Sequence, residues 1–242
     1  SAQLATSFFD IEKVIKELAG RPDTTVEQMA SLEFAYLPLL RNEPEALHRM
    51  LLEQPSFFME LVCLVFRAKG AEPVEASALQ KGRATTAYQL LKSLKSLPGQ
   101  TDKEVNQDAL LAWCLELRRL AAEQNRQDIT DQLIGQVLAH SPMSPTDGAW
   151  PHEAVRHVIE ALASSQVELG IRIERINMRG AFCKAFGEGG DQERAFAQQA
   201  KEWAQASLDF ARTYAMLELI ARKWLEDAER ADTEAKQDAM RH

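Results

Sequence analysis

The chain has 242 residues, of which 45% are hydrophobic and 26% are charged, and its formal net charge is −8. This composition predicts a globular protein with a substantial core. The acidic balance disfavours non-specific binding to nucleic acids and to anionic membranes. The longest apolar run, residues 57–66, is too short to cross a bilayer, so we expect no membrane contact.

The spacing of helix breakers predicts helices in the first 98 residues. The 11 glycines and 9 prolines of the chain leave long reaches without either residue, which favours helices over strands. Pro38 should kink or close the second helix. The fourth is apolar nearly all round, so we expect it to be buried at the centre of this half, with a strand as its alternative. Helices are predicted over residues 8–18, 25–40, 44–54, 56–68 and 78–97.

A polar stretch, residues 99–106, is the predicted linker between two helical halves. A loop with a turn at Asp147 and Gly148 interrupts the second half. Pro151 suits the first position of the helix that follows this loop, and Asp191 should cap the last helical region. In the second half, helices are predicted over residues 107–124, 129–138, 151–163 and 165–186.

The last third of the chain carries an apolar seam. Large residues recur every seven positions, and mostly small ones lie four further on, so both fall on one helical face. One unbroken helix over residues 191–234 would be about 66 Å long, too long for a compact domain. We therefore predict a break between Ala206 and Thr213, antiparallel packing of the two halves, and fraying after Asp227. The seam consists of Phe196, Ala200, Trp203, Ser207, Phe210, Tyr214, Leu217, Ala221, Trp224 and Ala228.

Together these elements predict an all-α fold. About ten or eleven helices, joined mostly by short loops, should pack as antiparallel hairpins in an irregular array that is superhelix-like or bundle-like. The predicted organisation is an N-terminal half (1–98), a linker (99–106) and a C-terminal half (107–242), with one continuous domain as the alternative.

Three cysteines, Cys63, Cys114 and Cys183, lie far apart in apolar helical contexts. No pair has the spacing of metal ligands, so we expect free, buried thiols in a reducing compartment, the cytoplasm.

Two motifs resemble catalytic or ligand sites but lack the required spacing or charge. His152 and His157 lie five apart, whereas two metal ligands on one helix need a spacing of four, so we interpret them as surface histidines. The glycines of residues 187–190 precede a helix as in a phosphate loop. Three carboxylates, those of Glu188, Asp191 and Glu193, however, would lie where the phosphate would bind and would repel it. We predict no metal, no cofactor and no catalytic residues, which makes an enzyme the least favoured class.

A row of basic residues is the most informative polar feature. Arg172, Arg175 and Arg179 share one face of a predicted helix, with apolar neighbours on both sides, and Lys184 follows. Partly buried arginines need partners, and Glu168 precedes Arg172 by four residues, a stabilising order. One interpretation is an anion-binding site. The other is a structural clamp on the loop that follows, which an Arg175→Ala variant with an unchanged melting temperature and no anion binding would refute.

Several segments, taken in order, support a resemblance. They are residues 32–40 (LEFAYLPLL), 47–49 (LHR), 55–58 (PSFF), 134–140 (IGQVLAH), 148–151 (GAWP), 177–180 (NMRG) and 188–194 (EGGDQER). In this order they resemble the C-terminal helical region of large, uncharacterised bacterial multidomain proteins. The resemblance spans about residues 32–232 and implies a helical C-terminal module of a longer polypeptide, which fits a chain that opens on Ser1. It implies no catalytic residues.

The function expected from the sequence is a non-catalytic helical scaffold or protein-interaction module of a larger bacterial protein. Its partner would be another protein or the remainder of its own longer chain. The alternative is an anion-binding or nucleic-acid-binding module that uses Arg172, Arg175, Arg179 and Lys184.

Overall fold

The computed structural model describes residues 13–18, 20–21, 23–102, 104–180, 184 and 188–241, with the side chains of Ala239 and Arg241 left out. Within these residues the fold is all-α, as predicted. Most of the predicted first helix lies outside the described residues, and so do Cys183 and Gly187. No helix in the described ranges combines the length and the apolar character that crossing a membrane requires.

The chain divides into two compact units. The N-terminal unit contains the described residues up to Pro98 together with Ala112–Thr130, and the C-terminal unit contains Gly99–Leu111 and the described residues from Asp131 onward. The N-terminal unit is therefore discontinuous in sequence, because residues 112–130 belong to it as well as the residues up to Pro98.

In the N-terminal unit, the described residues 13–18 are helical, and four longer helices follow, three before a long exposed loop and one after it. The side chains of Thr25 and Ser77 cap the first and the fourth by accepting backbone N–H groups, each within a capping box. Pro38 lies in a short 3-10 helix, Leu37–Leu39, that follows the first, so it closes that helix as predicted. The four helices are α1 (Val26–Tyr36), α2 (Glu45–Glu53), α3 (Pro55–Val65) and α4 (Ala78–Ser93).

Helix α5 (Gln107–Glu123) supplies the centre of the core of this unit. The indole N–H of Trp113 donates to the backbone oxygen of Leu51 at 3.0 Å, and the Trp113 ring meets that of Phe58 edge to face at 5.3 Å. The prediction that α3 is buried all round is wrong for one side. Leu64 is 39% exposed, and Cys63 is partly exposed rather than buried.

The C-terminal unit begins with a β-hairpin where the linker was predicted. Strands β1 (Gln100–Thr101) and β2 (Glu104–Val105) pair antiparallel. Gly99, in the turn just before β1, has a positive φ of +72°, which glycine adopts readily. The unit also contains part of α6 (Gln127–Leu138), and then α7 (Glu153–Leu162), α8 (Ser165–Asn177), α9 (Asp191–Gln205) and α10 (Ala211–Arg241).

The predicted break in the last helical region is confirmed. Helix α9 ends at Gln205 and α10 begins at Ala211. The ring of Phe196, in the first half of α9, lies 5.2 Å from that of Trp224, midway along α10, so the two helices are antiparallel. Their small seam residues are buried, including Ala200, Ala221 and Ala228, whereas Phe196 is 41% exposed.

Several predicted helix ends are wrong. In the N-terminal unit, α3 ends at Val65 rather than at residue 68, and α4 ends at Ser93 rather than at residue 97. Helix α8 ends at Asn177 and not at residue 186, because the chain turns and Gly180 adopts a φ of +67°. Helix α7 begins at Glu153, two residues after Pro151. Helix α10 continues to Arg241 instead of fraying after residue 227, and Asp232 on that stretch accepts the backbone N–H of Gly190.

Two predicted roles also change. Asp191 is the first residue of α9 and not its cap. Gly190 occupies the cap position, where Asp232 satisfies its N–H at 2.8 Å. The guanidinium of Arg194, with this N–H, lowers the pKa of Asp232 to about 2. His152 is not a surface histidine, because it is buried and its ring nitrogen Nδ1 accepts the N–H of Ala154 as the cap of α7.

Candidate functional site

An open apolar groove lies within the N-terminal unit, with a cavity volume of about 330 Å³. Its floor consists of buried side chains, its walls of partly exposed apolar ones, and its rim of exposed polar ones. The floor is Ala30, Leu47 and Leu61, the walls are Phe34, Met50, Phe57 and Leu64, and the rim is Glu27, Ser31, Glu60 and Arg83.

Helical spacing explains why these residues meet. Helix α1 contributes residues 27, 30, 31 and 34, and α3 contributes residues 57, 60, 61 and 64. Both sets follow the i, i+3, i+4, i+7 spacing that places side chains on one helical face. Each helix therefore presents one face to the same groove, with its apolar residues toward the floor and walls and its polar ones at the rim, and Leu47 and Met50 of α2 add further apolar lining.

A buried carboxylate holds two sides of the groove together. Glu33 on α1 accepts the backbone N–H groups of Ala46 and Leu47 at 3.2 and 2.8 Å, at the start of α2. These N–H groups would otherwise have no intrahelical partner. Burial raises the pKa of Glu33, although the two hydrogen bonds oppose that shift.

The rim of the groove carries two carboxylates and one guanidinium. Hydrogen bonding, from its own backbone N–H and then from Thr25, lowers the pKa of Glu27, so this carboxylate stays ionised at neutral pH. Glu60 and Arg83 are exposed. The rim is thus acidic overall, as is the chain.

The structure separates the four predicted basic residues into two pairs. Arg179 and Lys184 lie beyond the end of α8, and both bind the buried carboxylate of Glu193, each at 2.6 Å. Lys184 also donates to the backbone oxygen of Gly189 at 2.7 Å, and Arg179 to the side-chain oxygen of Gln192 at 3.1 Å. These contacts tie the segment after α8 to the first turn of α9, the arrangement that the clamp interpretation describes.

Arg175 has different surroundings. Its guanidinium carbon lies 4.5 Å from the ring centroid of Trp150 and 5.0 Å from that of Trp203, distances at which a cation is attracted to the ring face. Burial lowers the pKa of Arg175. Among the residues that the structure describes, none forms a hydrogen bond or an ion pair with this side chain.

Arg172 does not pair with Glu168 as the sequence suggested. Glu168 instead binds Arg212 of α10, whose Nε donates at 2.7 Å. Within the described ranges, Arg172 has no hydrogen-bonding or ionic partner.

Among the residues that the structure describes, two buried nitrogen atoms lack a hydrogen-bond partner, Nε2 of His152 and Nε1 of Trp203. A buried donor that stays unsatisfied costs about 1–3 kcal/mol. His152 does not share a metal site with His157, which is exposed and meets the ring of Phe210 edge to face at a centroid distance of 4.8 Å. The described part of the chain contains no group of three histidine, cysteine or acidic side chains placed to hold a metal ion.

Sequence reasoning found the basic residues but missed the groove and the two tryptophans beside Arg175. The lining residues looked like ordinary core positions, because the same helical periodicity marks a face that a neighbouring helix covers and a face left open. Trp203 was predicted only as a member of the apolar seam. The one further signal for a special role in the sequence was a large aromatic residue opposite mostly small ones.

Comparisons with protein-family models, with curated proteins and with solved structures found no match. The site geometry alone therefore carries the functional argument.

Proposed function

We propose that the chain is a protein-interaction module whose N-terminal unit binds an amphipathic helix in the groove between α1, α2 and α3. The observation that carries this proposal is the open apolar groove with a charged rim. Exposed apolar surface rimmed by polar residues is typical of interaction sites. The role is non-catalytic, and the bound helix belongs to another protein or to a further part of a longer chain.

A helix suits this groove better than an extended strand. Its lining rows lie on helices and follow the spacing i, i+3, i+4, i+7, and the side chains of a bound helix at the same spacing interdigitate with such rows. Recognition by strand addition needs an exposed sheet edge, and no strand is found among the described residues of the N-terminal unit.

The rim selects the charge of the partner. Glu27 and Glu60 outnumber Arg83, and the whole chain has a net charge of −8. A helix with an apolar face and flanking lysine or arginine residues would pair with these carboxylates and be steered toward them. We therefore expect a basic amphipathic helix rather than an acidic one.

Selection from a displayed library of helix-forming peptides tests this proposal directly. Peptides enriched on the full chain should share apolar residues at i, i+3 or i+4, and i+7, with basic residues beside them. Fluorescence anisotropy of one labelled peptide should then show affinity at least about tenfold weaker for a Leu64→Glu variant, because binding would bury an unpaired carboxylate.

Leu115→Glu is the matched control, since Leu115 is an exposed leucine of the same unit outside the groove. It should leave the affinity unchanged, and circular dichroism should show both variants folded. A Glu60→Lys variant should bind a basic peptide more weakly than the parent chain does, and should bind the acidic counterpart of that peptide more tightly. Enrichment of peptides without helical spacing, or equal binding by Leu64→Glu and the parent chain, would contradict the proposal.

A further inference from the structure

We propose that Arg175 and Arg172, on the last two turns of α8, form a binding site for a single oxyanion, a carboxylate or a phosphate group. This site lies in the C-terminal unit and is independent of the groove. Its central feature is the Arg175 guanidinium, which two tryptophan rings hold in place at 4.5 and 5.0 Å while no described residue accepts from its N–H groups.

Arg179, four residues further along the chain, is an arginine of the same unit whose guanidinium has both aromatic and anionic partners. Its guanidinium also lies over two rings, those of Phe196 and Trp224, at 5.3 and 5.5 Å. It differs from Arg175 in having a carboxylate, Glu193, at 2.6 Å. Arg175 thus contacts two aromatic rings but no carboxylate of the described residues, and an external oxyanion would supply that anionic partner.

The geometry of the guanidinium favours an oxyanion over other ligands. Its planar fork of N–H donors matches the two oxygens of a carboxylate or phosphate. Stacking on Trp150 and Trp203 limits its orientations before the ligand arrives, so less freedom is lost on binding. Arg172 precedes it by three residues on the same face and adds a second positive charge.

A neighbouring orphan donor supports the same conclusion. The indole N–H of Trp203 is buried and has no acceptor in the described part of the chain, and it belongs to one of the two rings that flank Arg175. This region of the unit therefore has a surplus of hydrogen-bond donors. An anion bound there would reduce the surplus, whereas a cation would increase the electrostatic penalty.

Nuclear magnetic resonance titration of the full chain tests the site. Sodium phosphate and sodium acetate are added separately at constant ionic strength, balanced with sodium chloride, and the Arg175 Nε–H and Trp203 indole N–H signals are followed. We expect a saturable shift with at least one of the two anions. A phosphate response identifies a phosphate-type ligand, and an acetate response identifies a carboxylate.

Substitution separates binding from stability. Arg175→Gln should weaken binding at least about tenfold, because a charged hydrogen-bond donor is lost, and Arg172→Gln should weaken it less. Arg222→Gln removes one charge from an exposed position on α10 and should leave binding unchanged. Absence of saturation with both anions in the parent chain would overturn the proposal, and so would equal binding by Arg172→Gln, Arg222→Gln and the parent chain.

Discussion

Arg156 is almost fully buried, at 1% exposure, and its guanidinium is fully engaged in hydrogen bonds. It donates to both carboxylate oxygens of Asp147, at 2.6 and 3.0 Å, and to the backbone oxygen of Pro151 at 2.8 Å. Longer bonds reach Ala149 and Ala206 at 3.3 Å. A buried charge is tolerated when it is paired and its donors are satisfied, so Arg156 ties the loop before α7 to the turn after α9.

The Asp147–Arg156 pair predicts a pH-dependent stability. Hydrogen bonding from Arg156 lowers the pKa of Asp147 from its ordinary value of 3.8, so the unfolded chain binds the proton more readily. The stabilisation is therefore present above pH 3.8 and lost as the pH falls through the lower pKa of the folded state. Asp147→Asn should cost about 2 kcal/mol at neutral pH, allowing for the partial exposure of Asp147.

Urea unfolding followed by tryptophan fluorescence, repeated from neutral to acid pH, measures this effect. The difference between Asp147→Asn and the parent chain should shrink as the pH falls below 3.8 and be lost below the lower pKa of the folded state, where Asp147 is neutral in both states of the parent. Asp209→Asn, at an exposed position of the same unit, should show no such difference. If the difference in unfolding free energy between Asp147→Asn and the parent chain stayed constant with pH, the ion pair would not be the cause of that difference.

At the scale of elements, two glycines set how closely α6 and α8 approach. A Cβ atom added at Gly135 would lie 2.1 Å from the backbone oxygen of Val167, and one added at Gly170 would lie 2.1 Å from that of Gln132. Backbone atoms of packed helices cannot move away as the end of a flexible side chain can. The absence of a side chain at both positions is therefore a requirement of the crossing.

Gly170→Ala should destabilise the protein by about 1–3 kcal/mol or more, because the added methyl group forces the two helices apart. Gly82→Ala is the matched control. Gly82 also lies inside a helix, but a Cβ atom added there meets nothing within 4 Å, so the change should stabilise by about 0.5–1 kcal/mol. Thermal unfolding of both variants measures the contrast, and similar melting temperatures would show that the close approach does not limit stability.

The sequence predicted most helices and the break in the last region, because periodic apolar faces and helix breakers are local signals. The prediction from sequence failed where contacts with residues distant in the chain decide where a helix begins or ends. Helix α10 continues past residue 227 partly because Asp232 binds Arg194 and Gly190. The start of α9 likewise depends on Asp232. Asn177 and Gly180 were a local signal that α8 ends early. In the sequence-based prediction, the apolar periodicity of the flanking residues outweighed that signal.

For the molecule as a whole, the candidate sites were less predictable than the fold. The basic residues were found, but which of them would bind Glu193 and which would be left over depends on where α8 ends. The groove is an uncovered apolar surface, and a single sequence does not distinguish it from a covered one. Both failures concern long-range packing, on which composition and periodicity carry no information.

The distribution of charge over the whole chain disfavours nucleic acid as a partner. Acidic residues outnumber basic ones, 36 to 28, and several basic groups that could contact phosphates are already paired with carboxylates. These include Arg179, Lys184, Arg194 and Arg212. The one oxyanion site proposed at Arg175 contacts a single group, whereas tight polynucleotide binding needs many phosphate contacts.

We therefore expect no binding of a fluorescein-labelled oligonucleotide, single-stranded or double-stranded, in anisotropy measurements at low salt. Low salt is the most permissive condition, because each neutralised phosphate releases counterions and strengthens binding as salt falls. A triple variant with Glu27, Glu60 and Glu226 changed to lysine serves as the positive comparison. These three positions are exposed, and the three changes together raise the net charge of the chain by six units from −8. If the parent chain bound the oligonucleotide with an affinity that fell steeply as salt rose, the acidic field would not control its choice of partner, and the preference for a basic helix would lose its electrostatic basis.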